Sequence, residues 1–311
     1  MKEYSFLRRR RRKKLFWSRL VRLLILTALA CLAIFFAKSI LQNYYLSNHK
    51  LIDPQPQKNV ISKSLQEAVN ESLMGTKGTY GIVIKNLKTG ESFYLNESRI
   101  FEPASLYKLW VMATVYKQIE EGGLKEDQIL SQTIPALNRI FNIDPEYAEL
   151  TEGGITITVN QAIEQMITIS HNYAALLLAE KIKLSSVSDF LKSQELLQSS
   201  IGKPPKTTAG DIAFFYEKLY KGQLASPENT TKMIEVLKRQ QLNDGLPKLL
   251  PDATIAHKTG DLDFFKHDTG IVFHPKGDYI IVIMSESNSP LGAQQRISEI
   301  SKLVYQYFET R

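Results

Sequence analysis

A chain of 311 residues with 43% hydrophobic content has room for one large or two medium domains around a buried core. Its formal charge of +7 is not a nucleic-acid footprint: residues 1–22 hold ten Lys or Arg against the single acid Glu3, so the rest of the chain nets −2. The one cysteine, Cys31, excludes an intrachain disulfide and any multi-cysteine metal site.

Residues 1–22 read as a basic cytoplasmic tail. From Leu23 to Ala37 the chain is uncharged and strongly apolar, between Arg22 and Lys38. As a helix this stretch reaches about 22 Å, short of the ~30 Å hydrocarbon core, so both flanking cations must snorkel to the headgroups. Residues 23–45 are assigned to a transmembrane signal anchor at the cell membrane, basic end inside and the remaining chain extracytoplasmic. The alternatives are a cleaved signal peptide, which lacks a small-x-small site after the apolar run, and a lipobox at Cys31, which apolar residues overrun. Residues 46–59, with Asp53-Pro54-Gln55-Pro56-Gln57, form a polar linker.

A folded domain is expected over residues 60–311. From Ile61, Leu65, Val69 and Leu73 mark an amphipathic helix. Thr79 to Lys85 reads as a strand with Tyr80, Ile82 and Ile84 on one face, and the turn Asn86 to Gly90 leads into a returning strand at Phe93-Tyr94-Leu95. Helical patterning then dominates: Ser105 to Glu121, Val159 to Ile169, Asn172 to Ile182, Val187 to Leu191, Thr208 to Lys221 and Pro227 to Gln240. Strands return at Thr254 to Thr259, Thr269 to Phe273 and Tyr279 to Ser285, and Ile297, Ile300, Leu303, Val304, Tyr307 and Phe308 mark a last helix. This order predicts an α+β fold: an antiparallel sheet flanked by terminal helices (60–104 and 252–311) with an inserted all-α domain (105–251), and a site where the two parts meet.

Three stretches place reactive residue types together. Ser105 precedes Lys108 by three residues at the start of an apolar helix, so hydroxyl and amine share a face about one turn apart. A serine needs a neighbour to take its proton, and a lysine can do so when burial or nearby cations lower its pKa. Ser47 with Lys50 and Ser200 with Lys203 share the spacing, but they lie in polar, proline-flanked stretches. Ser170-His171-Asn172 falls between two helices, where a serine and an amide can face one pocket; the plainer alternative is an N-cap serine. His257-Lys258-Thr259-Gly260 ends the helical part: a cation beside a hydroxyl suits a carboxylate, and the glycine admits a ligand close to the strand. Its plainer alternative is an edge lysine with a turn glycine.

In this order, Ser-x-x-Lys, Ser-x-Asn and Lys-Thr-Gly are the signature elements of serine penicillin-recognising enzymes. Residues 60–311 resemble the class A β-lactamase family, most tellingly from Thr151 to Ile182, and Phe101 to Ser105 resembles the family's approach to the nucleophile. The resemblance implies Ser105 as acylated nucleophile, Lys108 as its proton acceptor or relay, and Ser170 as the donor to the leaving nitrogen. It implies that Asn172 binds the substrate amide, that Lys258, Thr259 and Gly260 hold the substrate carboxylate, and that the backbone N–H groups of Ser105 and Asp261 form the oxyanion hole. It requires no cofactor or metal, and names a β-lactam or a peptidoglycan stem peptide as partner.

Three departures matter. His171 stands where the family has aspartate. Thr269 stands before Gly270 where many members have arginine, with Lys266 or His267 as substitutes unless they belong to a solvated face. The interval Lys192 to Lys206 lacks the Glu-x-x-Leu-Asn motif that activates the deacylating water and holds one acid, Glu195. Slow deacylation is therefore expected, with a D-alanyl-D-alanine peptidase, a β-lactam sensor and a cell-wall binding module as alternatives to a β-lactamase-like hydrolase.

Overall fold

The computed structural model describes residues 64–311 apart from Lys203 and Pro251. The expected tail, anchor and linker lie outside the described residues. Among the described residues, no helix is long and apolar enough to cross a membrane.

Helix α1 (Leu65–Leu73) opens on a reciprocal cap: Ser64 Oγ accepts from Glu67 N, and the Glu67 carboxylate accepts from Ser64 N. Strand β1 (Thr79–Asn86) turns into β2 (Ser92–Leu95), and three long strands close the domain: β5 (Thr254–Leu262), β6 (Phe265–Phe273) and β7 (Tyr279–Glu286). They pair antiparallel in the order β2-β1-β7-β6-β5.

Alternation along β7 explains the layering. Ile281 and Ile283 join a cluster with Tyr80, Ile82 and Ile84 of β1, Leu65 and Val69 of α1, and Ile297, Ile300 and Val304 of the last helix, α9 (Pro290–Glu309). Ile280, Val282 and Met284 point the other way, into the larger core under the helical part. A strand apolar on both faces belongs at the centre of a sheet covered on both sides.

The helical part is built on α2 (Tyr107–Glu120), in which every residue from Lys108 to Tyr116 is buried. A helix buried on every face is a core element rather than a surface one. Truncating its fully buried Trp110 to Ala costs about 3–5 kcal/mol. Around it lie α4 (Val159–Thr168), α5 (Asn172–Ile182), α6 (Leu184–Ser193), α7 (Ala209–Tyr220) and α8 (Pro227–Lys238).

Two expectations need correction. The inserted part is not all-α: β3 (Ile129–Thr133) and β4 (Gly154–Thr158) form a separate two-stranded ribbon with Leu130 opposite Ile157. Between them runs α3 (Ile134–Ile140), capped by Thr133, which the periodicity did not reveal. The partners lie 21 to 29 positions apart across a helix and a loop, so no local turn signal announces the pairing. The helix expected from Ser105 also starts later. Ala104–Leu106 form a separate 3-10 turn, and α2 follows it.

Candidate active site

Ser105 sits on the 3-10 turn, held on both sides by its approach segment. Phe101 exchanges backbone hydrogen bonds with Thr207, at 2.8 and 2.9 Å. Glu102 O accepts from His267 Nε2 at 2.8 Å, while His267 Nδ1 accepts from Ser285 N at 3.2 Å. That pair of partners fixes the neutral tautomer with its proton on Nε2. Burial pushes the ring the same way, down to about 4. The expected alternatives for His267, carboxylate binder or solvated group, are thereby replaced: it is a buried brace behind the nucleophile. Lys266 pairs instead with Asp261.

The chain then turns sharply, with Ala104 in the left-handed region at φ 45°. For an alanine that conformation costs on the order of 1–2 kcal/mol, and it sets the backbone direction from which the Ser105 turn starts. Ser105 is half-buried, and among the described residues its Oγ carries no hydrogen bond.

One turn on, Lys108 is fully buried. Its Nζ donates to Ser170 O at 2.6 Å, Ser170 Oγ at 3.1 Å and Asn172 Oδ1 at 2.7 Å. Burial lowers its pKa to about 7, with the nearby Glu149 carboxylate opposing the shift.

Ser170 lies between α4 and α5 at φ 57°. The N-cap alternative does not hold for it: His171 caps α5, its Nδ1 accepting from Ala174 N at 3.1 Å. The ring does what an aspartate does at that position, and the left-handed turn leaves Ser170 Oγ facing the two lysines.

Lys258 reaches the same oxygen from β5. Although β5 is an edge strand, α8 and the 3-10 turn pack against it and Lys258 is fully buried. The edge-lysine alternative is thus excluded. Its Nζ donates to Ser170 Oγ at 3.1 Å and to Thr259 O at 3.0 Å, with Thr259 Oγ1 at 3.5 Å. Burial, reinforced by repulsion from Lys108, lowers its pKa to about 7, while the buried Asp268 pulls it back up. Asp268 is itself held by His257 Nδ1 and Leu246 N, each at 2.8 Å.

Gly260 lies against the nucleophile turn. A Cβ there would stand 3.0 Å from Pro103 O and from the His267 ring, so only glycine lets β5 and the Ser105 turn approach this closely. Asp261 follows, exposed, at the mouth of the strand.

Two acids bear on the site, and only the first was visible in the sequence. Glu195 is 75% exposed and pairs with Lys218 at 3.9 Å, with no hydrogen bond to the site. Glu149 was not foreseen: its Oε2 accepts from Asn172 Nδ2 at 3.0 Å. No spacing in the sequence signals it, because the loop carrying it is joined to α5 only through tertiary contacts.

Comparison with known proteins gives the family and the fold. The model described as "Beta-lactamase enzyme family" matches residues 63–308. The extended-spectrum β-lactamase PER-1 of Pseudomonas aeruginosa is 22% identical over 275 residues, 79% of this chain and 88% of that protein. Among solved structures, PBP-A is 27% identical at a TM-score of 0.70 over 83% of this chain and 99% of its own. A point mutant of PBP-A, solved as an acyl-enzyme complex with penicillin G, gives 26% and 0.71 over 83% and 100%. A β-lactamase from Sphaerobacter thermophilus gives 24% and 0.70 over 79% and 97%.

Proposed function

The chain belongs to the beta-lactamase enzyme family and is a serine hydrolase; from that premise we propose that Ser105 forms an acyl-enzyme with β-lactams and D-alanyl-D-alanine peptides, and that the penicillin adduct hydrolyses slowly. The proton path follows from the partners. Lys108 has three acceptors, and of these only Ser170 Oγ is a hydroxyl able to turn donor. With its pKa lowered to about 7, Lys108 loses a proton readily at neutral pH and takes the one released by Ser105.

Ser170 Oγ, bridged to both lysines, then relays a proton to the leaving nitrogen. Lys258, Thr259 and Gly260 hold the substrate carboxylate, and Asn172 holds its amide. The backbone N–H groups of Ser105 and Asp261 stabilise the oxyanion, at about 3 kcal/mol per donor.

The observation that carries slow deacylation is Glu195. It is the one acid between Lys192 and Lys206, and it is turned to solvent and Lys218. Without a carboxylate aimed at the ester on that side, water is poorly activated. PBP-A, whose mutant was captured with penicillin G, is a relative with which this reading is consistent. The same reading has residues 23–45 as an anchor that would hold the domain outside the membrane, beside the cell wall; what supports it is the uncharged apolar run from Leu23 to Ala37 after a basic segment. Release of D-alanine from a D-alanyl-D-alanine peptide by the full-length chain, lost in Ser105→Ala, tests the peptidase reading.

A further inference from the structure

We infer that Glu149 is a specificity-determining residue that favours substrates carrying a positive charge next to the carbonyl bound by Asn172. The inference rests on the acyl-enzyme reading above.

The Asn172 side chain has a fixed orientation. Oδ1 accepts from Lys108 Nζ at 2.7 Å, so Nδ2 faces outward with two N–H groups. One donates to Glu149 Oε2 at 3.0 Å, and the other is left for a substrate carbonyl. Two acceptors on one amide nitrogen stand roughly 5 Å apart. A substituent on the carbon beside the substrate carbonyl therefore comes up against the Glu149 carboxylate.

That carboxylate is held in position rather than adrift on a loop. The neighbouring residue on each element makes a second clasp: Tyr173 OH accepts from Leu150 N at 3.0 Å and donates to Leu150 O at 2.7 Å. Asn138 Nδ2 also donates to Leu150 O, at 2.8 Å, and Asn138 Oδ1 lies 3.0 Å from the same hydroxyl. Glu149-Leu150 is thus stapled to Asn172-Tyr173, with the Glu149 side chain exposed to incoming substrate. An ammonium there gains a charge partner; an uncharged group leaves the carboxylate beside a carbonyl oxygen with nothing to offset it.

The test compares ampicillin, with an ammonium on that carbon, against N-acetylampicillin, in which the same amine is an uncharged acetamide. Acylation of the full-length chain is followed by intact mass at pH 6.5, where the ampicillin amine is mostly protonated. The expected result is a second-order rate about three- to tenfold higher for ampicillin, a ratio that falls towards one in Glu149→Gln and at high salt. Glu146→Gln, on the same loop without the Asn172 contact, keeps the ratio. Adducts forming at equal rates in the wild type, or a ratio that survives Glu149→Gln, overturn the inference while leaving the acyl-enzyme reading standing. No adduct with either compound overturns the acyl-enzyme reading, and this inference with it.

Discussion

Lys108 and Lys258 donate to the same atom, Ser170 Oγ, each across 3.1 Å. Two buried ammonium groups so close oppose one another, and burial lowers both to about 7. Chemistry needs the site to hold one proton fewer than two ammonium groups carry, with Lys108 neutral to accept and Lys258 charged to hold a carboxylate. The acylation rate should therefore rise with pH through an apparent value near 7 and fall again as the second proton leaves. Both values belong to the pair. A rate flat from pH 5 to 9 contradicts this.

Asp268 supplies the charge that raises Lys258. In Asp268→Asn the alkaline limb of the acylation profile should move down by about 0.5–1 unit. An unmoved limb would mean that some other group sets it.

The same lysines destabilise the fold. Between about pH 7 and 10.5 the unfolded chain binds more protons at these two sites than the folded one does, so their contribution to stability rises with pH across that window. Below about 7 both states are protonated and the cost is full. Lys258→Met should abolish acylation yet raise stability at neutral pH by about 1–3 kcal/mol, as replacing buried charges often does. Chemical denaturation at pH 7 checks it.

Gly260→Ala places a methyl 3.0 Å from Pro103 O. Either the nucleophile turn or β5 must yield by a few tenths of an ångström. Acylation should fall by at least about tenfold while the circular dichroism spectrum is kept, because positioning is lost before the fold is.

Tyr173→Phe removes the hydroxyl that serves both Leu150 N and Leu150 O. The buried ring remains, so the loss should be about 1–2 kcal/mol. Amide exchange at Leu150 should quicken, since that N–H loses its acceptor.

The sheet and the terminal helices were legible from periodicity, and Ser105 with Lys108 from their spacing at the head of an apolar helix. Ser170, Asn172 and Lys258 were legible only through the resemblance of Ser-x-Asn and Lys-Thr-Gly to a known family, since each stretch alone also admits an N-cap or an edge-strand reading. Tyr80, Ile82 and Ile84 alternate, and Ser105 and Lys108 share a helical face. The β3–β4 ribbon was not legible: its strands pair across a helix and a loop, and Ile129-Leu130 or Ile155-Thr156-Ile157 is too short to separate strand from helix alone. His171 was visible as a departure from aspartate, but its role as a cap depends on the left-handed turn at Ser170. Glu149 had no local signature, because its partner lies 23 residues away and only the Tyr173 clasp brings the two together. His267 was misjudged because strand alternation does not say which face a nearby loop will cover, and the Glu102 segment covers it.

The most direct test of the whole account is the intact mass of the full-length chain against time after mixing with penicillin G, for wild type and Ser105→Ala. A single covalent adduct that forms on the wild type, outlasts removal of free penicillin by hours and is missing from Ser105→Ala is the predicted result. An adduct on the alanine variant would contradict Ser105 as nucleophile, and one lost within seconds of washing would contradict slow deacylation.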